Sequence, residues 1–263
     1  MGYEKRMWML GRVMEVEERH TWRYTPPGVK RGKREKPTAE AVRKNNRRLM
    51  ARKRLMQMEM YFTEDDCYMT LTYPKSARPE DMAACQKDWS DLVKELRKVY
   101  KRNGGTLRWI RNIELGSKGA WHIHAVITEL PAGSTDRDGK PVHVAKLVQQ
   151  IWQKKLKHGR VDTQYMQRDV AALAEYITKT PESSRDSGHL VVESNCSASR
   201  NMPLPEPEVR TYKRWKTFVE RDIKIPKGWA LDKSSITESI NPFTGYPRRE
   251  YRLIRLDSGR RKC

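Results

Sequence analysis

The chain has 263 residues, enough for one domain of ordinary size with substantial extensions. Lysine and arginine total 54 against 33 acidic residues, and the net charge of +21 selects a polyanion partner, nucleic acid before an anionic membrane surface. No apolar run approaches a membrane span, the N-terminal MGYEKRMWML lacks a signal-peptide pattern, and the four cysteines show neither CxxC nor zinc-ribbon spacing, so a soluble cytoplasmic protein with free thiols is expected.

Residues 1–60 carry 17 Lys/Arg against 7 Asp/Glu and read as a basic N-terminal arm and helix. PPGVKRGKREKP is a turn-rich linker. TAEAVRKNNRRLMARKRLMQMEMYF follows as a helix with Thr38 as its N-cap and Leu49, Met56 and Met60 among its apolar positions. It reads either as a solvated helix on the core or as an arm that contacts DNA through Arg47, Arg48, Arg52 and Lys53.

From Asp66 the pattern becomes regular. CYMTLTYP alternates as a strand, with Met69, Leu71 and Tyr73 on one face and Thr70 and Thr72 on the other. Pro79, Glu80 and Asp81 open a helix whose apolar positions run from Met82 to Tyr100, stopped by Gly104 and Gly105. TLRWIRNIEL and AWHIHAVIT are the second and third strands, PAGSTDRDGKP is a loop, and VAKLVQQIWQKKL is a helix with Val144, Leu147, Val148, Ile151 and Trp152 inward. RVDTQYM is a fourth strand and DVAALAEYITKT a third helix, ended by Pro181.

The order β-α-β-β-α-β-α predicts an α+β fold: a ferredoxin-like, split βαβ core with a helix added. Right-handed crossovers place the first and third strands side by side in the centre of the sheet. Residues 183–263 form an accessory C-terminal region in which EYRLIRL looks like one more strand.

On the third strand Trp121, Ile123, Ala125 and Ile127 point into the core, and His122 and His124 point together the other way. Two imidazoles with Cα atoms about 7 Å apart suit one metal ion. Glu114, across the GSKGA turn, can add a carboxylate, leaving open positions on a divalent ion. A non-haem iron site would use the same ligand set, but no oxoacid pocket is evident. Tyr176 and Lys179, three apart, are expected to share a helical face. A phenol is a weak nucleophile near neutral pH, and attack on a phosphodiester needs positive charge on the phosphate, which a metal and Lys179 could supply. His20, His143, His158 and His189 lack ligand-like spacing and read as ordinary histidines.

Tyr68-Met-Thr-Leu-Thr-Tyr73, then Glu114 and His122-Ile-His124, then Tyr176-Ile-Thr-Lys179, resemble the three ordered motifs of HUH-superfamily rolling-circle replication initiators, closest to the single-tyrosine plasmid and phage proteins of bacteria. The resemblance covers about Asp66 to Pro181 and implies a catalytic domain over 61–182. It implies Mg2+ or Mn2+ held by His122, His124 and Glu114, with Tyr176 attacking a scissile phosphate in single-stranded or hairpin origin DNA to form a 5′-phosphotyrosyl link. Lys179 would steady the phosphate or metal, and Thr70 and Thr72 would line the site. There is no GxxxxGK[ST] loop, so a host or partner helicase is expected to unwind the duplex. Two other readings are a transposase or relaxase of the same superfamily and a non-catalytic ferredoxin-like nucleic-acid-binding module. Against the latter, the aromatic strand of RNA-recognition modules is absent. Val126 stands where an HxHxH phosphohydrolase would carry its third histidine.

Overall fold

Alternation of apolar and polar residues builds the strands, and 3.6-residue periodicity the helices, of a computed structural model that describes residues 3–20, 33, 36, 38–167, 169–180, 191–212, 222–241 and 244–256. In chain order these are β1 (Tyr3–Leu10), β2 (Val13–His20), α1 (Ala39–Tyr61), β3 (Cys67–Thr72), α2 (Met82–Arg102), β4 (Trp109–Gly116), β5 (Trp121–Ile127) and α3 (Val144–Gln149), which a π-helical segment (Gln150–Lys155) prolongs. Then come β6 (Val161–Tyr165), α4 (Ala171–Ile177), β7 (Val191–Ala198), β8 (Glu208–Tyr212), β9 (Trp229–Ile240) and β10 (Pro247–Arg255). The class is α+β with two antiparallel five-stranded sheets. The chain divides into two compact units, Met1–Arg48 with Leu204–Cys263, and Leu49–Pro203. Among the described residues no helix is long and apolar enough to cross a membrane.

In the unit Leu49–Pro203 the sheet order is β6-β3-β5-β4-β7. The neighbouring positions of β3 and β5 agree with the crossover expectation. One face packs Met69, Leu71, Ile123 and Ala125 against Trp89, Leu92 and Leu96 of α2 and against Val148 and Trp152. Asp81 caps α2, its carboxylate accepting from Ala84 N–H at 2.8 Å. The opposite face packs Ile110 and Val126 against Met58, Phe62, Met202 and, from α4, Ala174 and Ile177. That second face carries the histidines.

Thr38 caps α1 as expected, accepting from Ala41 N–H at 3.1 Å. Met56 is buried, but Leu49 and Met60 are exposed, so the inward stripe runs instead through Met56, Gln57 and Met58. The linker PPGVKRGKREKP lies outside the described residues apart from Lys33 and Lys36.

In the other unit, the first part of the segment read from sequence as a basic arm and helix forms β1 and β2. The sheet order there is β8-β1-β2-β10-β9, so the first strands pair with the last ones, and β10 contains EYRLIR of the foreseen strand. Buried charge had masked the period. Glu15, Glu17 and Glu18 are all buried on β2, and Glu18 receives Arg249 through Nε at 2.9 Å and Nη2 at 2.7 Å, with Tyr251 OH donating at 3.2 Å. Removing one partner of such a pair strands the other charge in the interior. Glu18→Ala is therefore expected to lower stability by about 3–5 kcal/mol in urea unfolding of the whole chain. A change within about 1 kcal/mol would place this pair at surface strength instead.

Candidate active site

The β4–β5 hairpin sets the first three groups. Gly119, at φ +66°, takes a left-handed conformation in its turn, and the register then places Glu114 directly opposite His122, with Asn112 opposite His124. Alternation puts all four side chains on one face. One ligand atom each from Glu114, His122 and His124 lies within 4.8 Å of the others. His124 Nε2 is 2.9 Å from Glu114 Oε1. Glu114 is 1% exposed and His124 5%, whereas His122 is half-buried and marks the open side.

Two imidazole nitrogens and one carboxylate oxygen form a donor set compatible with a divalent cation. The buried amide of Asn112, 1% exposed, has no hydrogen-bond partner for Oδ1 or Nδ2 among the described residues, so an unused donor and acceptor stand beside the cluster.

β3 supplies the next layer. Tyr68 OH lies 2.7 Å from His124 Nδ1 and Thr70 Oγ1 3.2 Å from the same nitrogen. Thr72, opposite His122 in register, instead donates to the Arg160 carbonyl at 3.0 Å. Of the two threonines placed at the site, Thr70 thus touches a histidine, and Thr72 ties β3 to the turn before β6.

α4 brings Tyr176. Val170, Ala174 and Ile177 are buried there, and Leu173 is half-buried against them. The Tyr176 ring stands edge-on to His124 at 5.1 Å between centroids and edge-on to Tyr68 at 6.3 Å. Its hydroxyl interacts with that of Tyr68. Burial, then the neighbouring Tyr68 and Glu114, pushes the Tyr176 phenol well above its ordinary value. Tyr68 is raised too, chiefly by burial, while hydrogen bonds with Thr70 and Tyr176 oppose the rise.

Lys179 corrects the expectation of a shared helical face. α4 ends at Ile177 with Thr178 as C-cap, so Lys179 lies beyond the helix. It still returns to the site, with Nζ 5.8 Å from the centre of the Tyr176 ring. The physical reason is local: Thr178 Oγ1 donates to the Ala174 carbonyl at 2.8 Å, closing the last turn.

The basic positions of α1 differ among themselves. Arg48 is bound to Glu250, with Nη1–Oε2 2.9 Å. Arg47 and Arg52 are half-buried, and Lys53 is exposed. Among the other histidines, His143 is the N-cap residue of α3, His158 is 3.4 Å from Asp88, and His20 packs near Tyr3 and Tyr246. His189 lies outside the described residues.

Tyr68 and Asn112 had no role assigned from sequence. The signal for both was alternation: Tyr68 is in phase with Thr70, and Asn112 with Glu114.

Residues 66–181 match the family described as Replication-associated protein ORF2/G2P. The matched stretch spans less than half of the chain and contains Tyr68, Glu114, both histidines, Tyr176 and Lys179. No curated protein and no solved structure matches the chain. The family match supports a replication initiator that interacts with DNA.

Proposed function

We propose that the chain is a replication-initiation endonuclease of HUH type, which nicks and rejoins single-stranded origin DNA through a 5′-phosphotyrosine at Tyr176. The observation that carries this reading is the packing of Tyr176 against His124, beside a three-ligand cluster, within the stretch that matches a replication-associated family. For the fold, support comes from strand order. β6-β3-β5-β4 with helices between β3 and β4 and between β5 and β6 is what two interleaved right-handed βαβ units generate, and β7 extends that ferredoxin-like sheet at its β4 edge.

His122, His124 and Glu114 would hold Mg2+ or Mn2+. A cation there would draw charge from the non-bridging oxygens of the scissile phosphate. The phenol of Tyr176 loses its proton and attacks phosphorus, the tyrosyl O–P bond forms, and the P–O3′ bond breaks as the 3′ oxygen takes up a proton. Lys179 presents its charge to the same phosphoryl group, and exposed Lys53 is assigned to the DNA backbone. The covalent link retains the energy needed for rejoining.

Tyr68 and Thr70 orient His124. Engaging Nδ1 holds the ring with Nε2 toward Glu114 and the cluster, and with a cation on Nε2 the Nδ1–H would donate to these hydroxyls. Tyr68→Phe is expected to weaken Mn2+ binding about 10- to 100-fold by calorimetry, the usual cost of losing such a partner. Unaltered affinity would show that the strand alone holds the ring.

The test of the function is direct. Full-length protein with end-labelled single-stranded origin DNA and Mn2+ should give a protein–DNA adduct that survives a denaturing gel and is absent with chelator. Salt-sensitive binding without any adduct would overturn the enzyme reading in favour of a non-catalytic DNA-binding module.

A further inference from the structure

Outside the candidate active site, the unit Leu49–Pro203 contains an open cleft of about 530 Å³ between the end of α2, the start of β4 and the segment after β7. Arg97 and Lys101 stand one turn apart on α2, and Arg200 faces the same space from the opposite lip. All three are exposed, and none forms an ion pair or a side-chain hydrogen bond with any described residue. The favourable placement of cations near a helix C-terminus accounts for Lys101. It does not account for Arg200, which is on no helix, nor for the gathering around one hollow of three charges that no described residue pairs.

The hollow has a fixed shape. Ser199 N–H donates to the Trp109 carbonyl at 2.9 Å, Trp109 N–H to Ser199 Oγ at 3.2 Å, and Asn201 Nδ2 to the Leu107 carbonyl at 3.1 Å. Arg200 is thus held between two residues strapped to the start of β4. On the other side Gly105 passes so close that a Cβ would lie 2.8 Å from Pro131 Cδ and 3.2 Å from Tyr100 Cδ1. Half-buried Trp109 lines the cleft.

We propose that this cleft is a second nucleic-acid site, a seat for the phosphodiester backbone of single-stranded DNA with a base against Trp109. A cationic groove beside an aromatic ring is the general chemistry of single-strand binding, in which charge follows the backbone and any base can stack. A single strand fits better than duplex, because the cations line a hollow with an indole in it rather than a flat or ridged face. The site uses none of the groups assigned to cleavage. Trp109 and Glu114 both lie on β4, about 17 Å apart at strand rise and with their side chains on opposite faces of the sheet, so the cleft is separate from the face that carries the tyrosine.

The test is binding of a fluorescein-labelled oligo-dT to the full chain, by anisotropy across a salt series, in chelator so that neither metal nor cleavage contributes. The triple variant Arg97→Glu, Lys101→Glu, Arg200→Glu should bind at least about tenfold more weakly, with a salt slope shallower by about 2, the value for three lost phosphate contacts on a single strand. A control with the same charge change, Lys140→Glu, Lys146→Glu, Lys154→Glu, should lose less than about threefold. The milder glutamine triple at the cleft should fall between wild type and the glutamate triple, and all variants should keep the wild-type circular dichroism. Equal losses in cleft and control triples would reduce the effect to overall charge and overturn the proposal. So would wild-type affinity in the cleft triple. If unlabelled duplex displaced the probe as well as single strand, and did so only with an intact cleft, the single-strand assignment would fall. None of these outcomes depends on Tyr176 or the metal ligands, so the cleft stands or falls apart from the proposed chemistry.

Discussion

Tyr176→Phe is expected to abolish covalent capture of single-stranded DNA while leaving DNA affinity within about twofold, since binding here is mainly charge attraction to phosphates. The expected loss of adduct formation is roughly 10⁴-fold or more, the scale seen when a covalent nucleophile is removed. Structurally the substitution is mild. The ring would remain edge-on to His124, and only the hydroxyl and its interaction with Tyr68 would go. The adjacent phenol makes the experiment sharper. Tyr68 lies on the same sheet face and its OH is 2.7 Å from His124 Nδ1, so it is a rival phenol beside the cluster. Its commitment to that nitrogen argues for a positioning role, and Tyr68→Phe should slow adduct formation while retaining it. The reverse pattern, adduct surviving in Tyr176→Phe and lost in Tyr68→Phe, would move the nucleophile from α4 to β3.

The parts of this architecture that were legible in sequence share one property: their apolar period was uninterrupted. β3 and β5 alternate cleanly, α2 presents Cys85, Trp89, Leu92 and Leu96 at helical spacing, and Val148 and Trp152 do the same after the loop. β1 and β2 were not legible, because Glu18 is buried against Arg249, more than two hundred residues away in sequence, and a buried ion pair breaks the hydrophobic pattern that marks a strand. The site shows the same division. The histidine pair and Glu114 follow from alternation and one hairpin. The contact of Tyr68 with His124 depends on β3 pairing with β5, a long-range register that no local pattern specifies. The exit of Lys179 from α4 depends on where a seven-residue helix stops, which caps and tertiary contacts decide. The cleft at Arg97, Lys101 and Arg200 joins segments separated by about a hundred positions of sequence, each an ordinary basic stretch on its own.

His124→Ala should remove Mn2+ binding, with an affinity loss of roughly 100-fold or more, beyond that expected for an orienting neighbour. The reasoning starts from how little the cluster has to lose. Three protein ligands leave open positions for substrate, so each holds a large share of the binding free energy. His124 is also the hub of the face, with Nε2 on Glu114 and Nδ1 on Tyr68 and Thr70. Glu114→Gln keeps the shape but removes the negative charge, and should weaken binding in the same direction; because the carboxylate is 1% exposed, little solvent reaches its charge, and a bound cation would relieve that cost. Affinity in the wild type should fall on acidification, since protons compete for imidazole and carboxylate ligands. Titration of Mn2+ by electron paramagnetic resonance reads all of these without DNA and without turnover. Should His124→Ala bind Mn2+ as tightly as wild type, the cation sits elsewhere, and Glu114 with His124 is then a buried acid–imidazole pair that holds two strands together.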